Sequence, residues 1–300
     1  MNPELDLYPP VPRRSILAAT GAILGVVAAG DLLEACGSPE RDPFEDTPAW
    51  AQDFSTMPDG ALDTRLWSIS TGTTIPGYNQ EVEALTDLPQ NIRIENGALI
   101  LEGKREGHPY EGRDYTSARI VSKHAFTYGK LEVAARFPAG AGTWPALWLL
   151  PNKGLYQPQR FGIDPTSNSA WAINGEIDFG EAVGKKPGII TSSLHTYQTV
   201  STGQAPAGYA NQEQVPTIST DFNTYGVERT PGKIVFTLNG QPYQTIEKPA
   251  NSTIEEWPFE NQPMNLIMNL ALGGAYGGPV RGNGPWQLAV KSAKFFALAV

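Results

Sequence analysis

Three carboxylates stand close together in one strand-like segment of the chain, residues 176–181, which read EIDFGE. Alternation along a strand puts Glu176 and Asp178 on one face and their apolar neighbours on the other, packed in a core. A regular strand would also turn Glu181 into that core, where an unpaired carboxylate is costly. One extra residue at Phe179-Gly180, a β-bulge, would return Glu181 to the acidic face. We therefore predict a bulged strand with three acids on one face.

Such a cluster is suited to acid–base chemistry. Like charges this close cannot all ionise easily, so the pKa of at least one carboxyl group should rise and keep it protonated near neutral pH. Retaining hydrolysis of a glycosidic bond needs one ionised carboxylate and one protonated carboxyl group about 5–5.5 Å apart. For the segment taken by itself, a solvated acidic edge or a calcium site is the alternative.

The elements that would position these acids have the character of strands. The chain contains 31 Gly and 26 Pro, and 40% of its 300 residues are hydrophobic, so a sizeable core can form between many turns. From Trp67 onward, β-branched and aromatic runs recur between Gly, Pro, Asn and Asp clusters, which is typical of a sandwich or barrel. The clearest runs are 91–101, 115–122, 129–137, 144–150, 175–181, 189–197, 222–228 and 234–238.

Two local patterns support this interpretation. In residues 130–137 apolar side chains recur at every second position, from Leu131 to Phe137, which predicts a strand with one packed face and one wet face. Asn239-Gly240 stands between two strand-like runs and predicts a hairpin, because both residue types accept a positive φ.

Charge and composition limit the partners and the domain count. A formal net charge of −9 argues against nucleic acid, because binding a phosphate backbone calls for clustered Lys and Arg. A neutral polymer is an easier fit. We predict one catalytic domain over 51–300 and a flexible linker over 37–50, whose Ser, Pro and acidic residues show no hydrophobic period. We expect a monomer.

Residues 1–36 are predicted to be an export signal. Arg13 and Arg14 precede an apolar, small-residue run over 15–30 that is short for a membrane span, and the arrangement resembles a twin-arginine signal. Cys36, the single cysteine of the sequence, follows in a stretch that resembles a lipoprotein cleavage box. We expect export, with membrane contact only through a lipid on Cys36; a signal cleaved nearby without a lipid, or an uncleaved anchor, is the alternative.

The acidic motif and six further segments together resemble glycoside hydrolase family 16, the laminarinase-like retaining β-glucanases. The family signature Glu-x-Asp-x-x-Glu on a bulged strand is matched by residues 176–181. The resemblance covers roughly residue 53 to the end. Its other segments are YTSARI at 115–120, YGKLE at 128–132, TWPALWLLP at 143–151, SLH at 193–195, FNTY at 222–225 and NLALGG at 269–274.

The resemblance implies an all-β fold, a β-jelly-roll sandwich of two curved antiparallel sheets (concanavalin-like) with a concave sugar-binding cleft. It also implies that Glu176 is the nucleophile, Asp178 its assisting carboxylate and Glu181 the general acid/base. The expected activity is retaining hydrolysis of β-1,3-glucosidic linkages in a β-glucan polysaccharide. Mixed-linkage glucans and sulfated galactans are the other candidate substrates.

Further residues match sugar-binding positions of the family. Trp144 and Trp148 match cleft tryptophans that would stack on sugar rings, with a plain core position as the alternative. Arg119 could bind sugar hydroxyls or pair with an acid, and His195 could orient an acid, contact the sugar or be structural. The remaining matches are Trp171 at the rim beside the catalytic strand, Asn79, and Asn269, for which a loop contact is the alternative.

Three departures from the family pattern stand out. Glu228-Arg229 replaces a Glu-Trp pair, so one aromatic residue is lost. The last strand carries Val290-Lys291-Ser292 where the family has an aspartate tied to a structural calcium. A lysine cannot ligate the ion, so we predict no metal site and no cofactor. The segment 152–174 is longer than usual and could wall one end of the cleft.

Two other functions are compatible with the same fold. Related two-sheet proteins bind sugars without cutting them, so a lectin-like module is one alternative. It would need a lost nucleophile or acid, and both are present here. An envelope transglycosylase is the other, because a covalent intermediate can pass to a sugar acceptor instead of water.

Overall fold

The computed structural model describes residues 43–73, 79–151 and 158–299, which are folded almost entirely as strands. The strands are β1 (Trp50–Asp53), β2 (Trp67–Ile69), β3 (Gly72–Thr73), β4 (Glu83–Leu85), β5 (Ile92–Glu95), β6 (Ala98–Tyr110), β7 (Arg113–Ser117), β8 (Arg119–Phe126), β9 (Gly129–Arg136), β10 (Thr143–Pro151), β11 (Glu176–Glu181), β12 (Ile189–His195), β13 (Ala210–Gln214), β14 (Asn223–Thr230), β15 (Lys233–Leu238), β16 (Gln241–Glu247), β17 (Met264–Leu272) and β18 (Trp286–Ala297).

Helical elements in these ranges are short. They are α1 (Tyr197–Thr202), α2 (Gly274–Gly277) and 3₁₀ turns at Phe54–Thr56, Pro158–Phe161 and Ala170–Asn174. Over the described ranges, no helix is long and apolar enough to cross a membrane. The predicted export signal and Cys36 lie outside the described residues.

The strands form two sheets. In the described part of the chain, eleven strands make up one sheet, in the order β16-β15-β14-β9-β18-β6-β7-β4-β3, with β1 added beside β18 and β5 beside β6. Seven make up the other, in the order β13-β12-β11-β10-β17-β8-β2. The named strands pair antiparallel except β4 and β7, which run parallel. The predicted two-sheet sandwich is confirmed, with this one parallel pair as a departure.

The main core lies between the sheets and takes one face of each. In β9, Leu131, Val133 and Ala135 are buried and alternate with half-buried residues, as the period of two predicts. Leu147 and Leu149 of β10 enter the same core from the seven-stranded sheet. The predicted hairpin at Asn239-Gly240 is also confirmed: it joins β15 to β16, with φ of 50° and 76°.

Part of the predicted linker is attached to the domain. Phe44 is buried and forms a bridge with Leu298, just beyond β18. The N–H of Ala299 donates to the carbonyl of Pro43 at 2.8 Å, and Trp50 begins β1. Both ends of the segment 43–50 are thus attached to β18 and the residues just after it, whereas 37–42 lie outside the described residues.

Candidate active site

β11 carries the bulge that the sequence predicts. Asp178 stands opposite Trp148 of β10, and Glu181 stands opposite Ala146, so three steps along β11 match two along β10. The register shifts in the same place against β12. Because Trp148 and Ala146 are two residues apart and share a face, Asp178 and Glu181 share that face too. Phe179 is fully buried in the main core.

Five neighbouring strands bring most of the predicted site residues to the same face, the one opposite the main core. Residues that stand directly opposite each other on paired strands point to the same side of the sheet. The members are His195 and Ser193 on β12; Glu176, Asp178 and Glu181 on β11; Trp144 and Trp148 on β10; Asn269 on β17; and Arg119 on β8.

The three carboxyl groups are withdrawn from water. Glu176 and Asp178 are 0% exposed, and Glu181 is 6% exposed. Ser193 Oγ donates to Asp178 Oδ2 at 2.7 Å. His195 Nε2 lies 3.0 Å from the same oxygen and 3.9 Å from Glu176 Oε1. Neighbouring buried like charges oppose each other's ionisation, so we expect the three acids to hold at least one proton between them.

Glu181 is held by an indole. Trp144 Nε1 donates to Glu181 Oε1 at 2.6 Å. The ring of Trp144 meets Tyr276 of α2 edge-on, with centroids 5.5 Å apart, and the hydroxyl of Tyr276 lies 2.9 Å from Thr191 Oγ1. The orientation of the predicted acid/base is therefore set by β10 together with the turn that follows β17.

Trp148, like Trp144, donates its indole N–H to a residue of the catalytic face. Its Nε1 donates to Asn269 Oδ1 at 2.7 Å, and the guanidinium of Arg119 lies 4.9 Å from its ring centroid. Trp144 and Trp148 are only 3% and 4% exposed. Since Arg119 covers Trp148, a sugar stacked on this indole would have to use its other face, and the stacking stays a prediction.

Trp171 and Asn79 flank the face at different points. Trp171 is buried in the 3₁₀ turn before β11, and its ring centroid is 6.3 Å from that of His195. The sequence predicted a position at the rim of the site, whereas Trp171 is buried beside His195. Asn79 Nδ2 donates to Glu81 Oε1 at 3.1 Å. The carbonyl of Asn79 accepts from the N–H of Ala275, which places it at the α2 end. Of the long segment 152–174, residues 152–157 lie outside the described residues.

The turn into β11 is shaped by a distant loop. Gly175 has a φ of +77°, a conformation that favours glycine. A Cβ at this position would lie 2.5 Å from Phe259 Cε1 and 2.7 Å from Pro258 Cγ. Arg229, the residue that departs from the family pattern, is buried and donates to the carbonyls of Phe126, Phe259 and Gln262. It thereby anchors the loop that supports the start of β11.

Three side chains of the site have the chemistry of cation ligands. Glu176, Asp178 and His195 offer oxygen and nitrogen atoms within 4.8 Å of one another. Asp178 Oδ2 accepts from Ser193 Oγ and lies 3.0 Å from His195 Nε2, so we interpret the group as a hydrogen-bonded cluster of acids and their donors. At the family's calcium position, the ammonium of Lys291 lies 4.5 Å from the ring centroid of Phe222.

Two residues of the site were missed by sequence reasoning. Ser193 lies two residues before His195 on one strand, so alternation alone could have placed it on the catalytic face. Tyr276 lies in a Gly-rich turn whose sequence carries no strand or helix pattern, and nothing local indicates its contact with Trp144.

Comparison with known proteins agrees with this geometry. A family model described as Glycosyl hydrolases family 16 matches residues 80–286. A β-glucanase of Rhodothermus marinus is 35% identical over 274 residues, which are 88% of this chain and 88% of that protein. The laminarinase structure from Rhodothermus marinus has a TM-score of 0.72 at 34% identity and covers 85% of this chain and 98% of its own.

A variant of LamA from Z. galactanivorans, in complex with laminaritriose and laminaritetraose, has a TM-score of 0.68 at 26% identity. It covers 84% of this chain and 99% of its own. The expected jelly-roll sandwich and the resemblance drawn from the sequence motifs are both confirmed. The chain belongs to glycosyl hydrolase family 16.

Proposed function

We propose that this protein is a retaining endo-β-1,3-glucanase. The observation that carries the proposal is the bulge in β11, which puts Glu176, Asp178 and Glu181 on one buried face. Two of these acids have a dedicated partner there: Ser193 for Asp178 and Trp144 for Glu181. Retaining hydrolysis requires such a pair of carboxyl groups with different protonation states.

The proposed mechanism has two displacements. Glu176 attacks the anomeric carbon while Glu181 donates its proton to the departing glycosidic oxygen, which leaves a glycosyl ester on Glu176. Glu181 then takes a proton from water, whose oxygen attacks the same carbon and releases Glu176. Asp178 lies on the same face as both acids and stays ionised, and His195 contacts both Asp178 and Glu176. The net configuration at the anomeric carbon is retained.

The substrate assignment is supported by the relatives and by the charge of the chain. The Rhodothermus marinus structure is titled a laminarinase, and the Z. galactanivorans protein holds laminari-oligosaccharides. The net charge of −9 favours a neutral polymer over a sulfated one, because like charges repel. We therefore propose a β-1,3-glucan as the substrate, with mixed-linkage glucan as the nearest competitor.

Hydrolysis of laminarin tests the proposal, with a panel of mixed-linkage and sulfated polysaccharides beside it. Glu176→Gln is the matched variant, since it keeps the shape and removes the nucleophile. The parent should release oligosaccharides whose first anomer is β by NMR, and the variant should release none. Equal rates would refute the role of Glu176. Laminarin binding without cleavage by the parent would indicate a lectin, and transfer to added oligosaccharides would indicate a transglycosylase.

We also propose that the domain is exported as a monomer and carries a lipid on Cys36. For export and the lipid, the support is the sequence pattern of residues 1–36 alone. Mass spectrometry of the mature protein should find a diacylglyceryl group on an N-terminal cysteine, and Cys36→Ser should lose it. An intact upstream peptide would contradict the cleavage. Light scattering of the delipidated protein gives the oligomeric state.

A further inference from the structure

Ser193 lies where three groups of the site meet. Its Oγ is 2.7 Å from Asp178 Oδ2 and 3.2 Å from His195 Nε2. The third side of this triangle, from His195 Nε2 to Asp178 Oδ2, measures 3.0 Å. Ser193 and Asp178 are buried. A hydroxyl at such a junction determines which of its neighbours donate and which accept.

The positions of the protons follow from the number of donors. A serine hydroxyl has a single proton, and that of Ser193 is donated to Asp178 Oδ2. A lone pair of Ser193 Oγ then faces His195 Nε2, and this contact is favourable only if Nε2 carries a proton. His195 Nε2 also lies 3.0 Å from Asp178 Oδ2, so the same N–H can be shared between the oxygens of Ser193 and Asp178. Two donors therefore converge on one carboxylate oxygen, which favours its charged form in a buried place.

Other charged groups lie on the same face of the sheet. Among the residues that the structure describes on strands β8, β10 to β12 and β17, they include Glu176 and Glu181 from the same strand as Asp178, His195 from β12, and Arg119 from β8, whose guanidinium lies over Trp148. Two of these are further acids, which oppose a charge on Asp178. The donors on β12 therefore have a large share in keeping Asp178 ionised and leaving the shared proton to its neighbours.

We propose that Ser193 is a positioning residue: its hydroxyl fixes His195 as an Nε2–H donor and keeps Asp178 charged, so that the proton needed for catalysis stays on Glu181. The inference rests on the proposed hydrolase function for its kinetic consequences. Its structural content, the protonation pattern of His195, is independent of any substrate.

The kinetic test compares Ser193→Ala with two matched variants. Ser193→Thr restores the hydroxyl at the same position. Ser192→Ala removes a buried hydroxyl from the other face of β12, where Ser192 donates to Gln244. We expect Ser193→Ala to lower kcat about tenfold with little change in KM, and to move the acid limb of the kcat/KM profile up by about one pH unit, because an ionised acid has lost a donor. Ser193→Thr should recover most of both effects.

Ser192→Ala should keep the parental pH profile, even where it lowers the melting temperature. An unchanged acid limb in Ser193→Ala, or an equal shift in Ser192→Ala, would overturn the proposal. Histidine ¹⁵N NMR provides the second readout, since the chain contains three histidines. The parent should show His195 protonated at Nε2, and Ser193→Ala should lose this preference. A parent with His195 protonated only at Nδ1 would contradict the inference directly.

The two proposals fail in different ways. If the parent cleaves no polysaccharide, the proposed function is wrong, and the NMR comparison still decides the role of Ser193. If the parent cleaves laminarin but His195 has the same tautomer in the parent and in Ser193→Ala, the hydrolase stands and the positioning role falls.

Discussion

Replacing Glu83 with glutamine is expected to stabilise the protein increasingly as the pH rises. Glu83 lies on β4 and is almost fully buried, and one of its oxygens accepts the N–H of Leu272 at 3.0 Å. Burial raises the pKa of Glu83 from its ordinary 4.5 to about 8, and the nearby carboxylate of Glu81 adds to the shift. Glutamine keeps the shape and the acceptor oxygen but cannot ionise.

The sign and size of the effect follow from proton linkage. At neutral pH the folded protein holds a proton on Glu83 that the unfolded chain has released. The stability that this proton provides is complete below pH 4.5 and is lost as the pH rises toward 8. Each pH unit within this window changes the free energy of unfolding by about 1.4 kcal/mol. The advantage of Glu83→Gln should therefore grow from near zero below pH 4.5 to at most about 5 kcal/mol above pH 8.

Urea unfolding of both proteins at pH 5, 6, 7 and 8 measures this difference directly, because the remaining titrating groups are common to both and cancel. Glu81→Gln serves as the control. It removes the repulsive neighbour but leaves Glu83, so its stability should still fall with pH, with the fall ending at a lower pH than in the parent. A difference between the parent and Glu83→Gln that is the same at pH 5 and pH 8 would refute the protonation of Glu83 in the folded state.

Two further predictions concern the site. Trp144→Phe keeps an aromatic ring but removes the N–H that holds Glu181. The kcat/KM on laminarin should fall about 10- to 100-fold, while the circular dichroism spectrum stays unchanged. A parental rate would contradict the role of the indole. Gly175→Ala should lower the free energy of unfolding by at least about 2 kcal/mol, since the new Cβ would collide with Phe259. Gly112→Ala is its control, because Gly112 has the same φ of +77° and open space around it. An equal loss of unfolding free energy in both variants would mean that backbone strain alone explains the effect.

The strands were predictable because their pattern is local. A period of two over 130–137 indicates a strand with one buried face, and in β9 the buried and half-buried residues alternate in this way. The bulge was predictable for a related reason: without it Glu181 would face the core, and the cost of a buried unpaired charge excludes that arrangement. The predicted run 91–101 proved to be two strands, β5 and β6, because Asn96 and Gly97 both adopt a positive φ and turn the chain.

The linker shows where composition misleads. Residues 37–50 have the Ser, Pro and acidic content of a flexible segment, yet Phe44 is buried and Trp50 packs edge-on against Trp67 and Phe126. Burial of a large aromatic side chain contributes about 1.5–3 kcal/mol. The buried Phe44 and the partly buried Trp50 together offset part of the cost of ordering this short segment, although its sequence lacks the alternating pattern of a strand.

Sequence reasoning did not predict the burial of Glu83 or the turn that packs against Trp144. Both involve contacts made at the end of β17. Leu272 donates to Glu83, which is 189 residues away in the chain. Two residues further on, a Cβ at Gly274 would lie 3.0 Å from the ring of Trp144. The indole that holds Glu181 is thus packed against a turn that is fastened, through a buried acid, to the other sheet. Local patterns specify the strand that carries the acids, but contacts between distant segments determine how the acid/base is aimed.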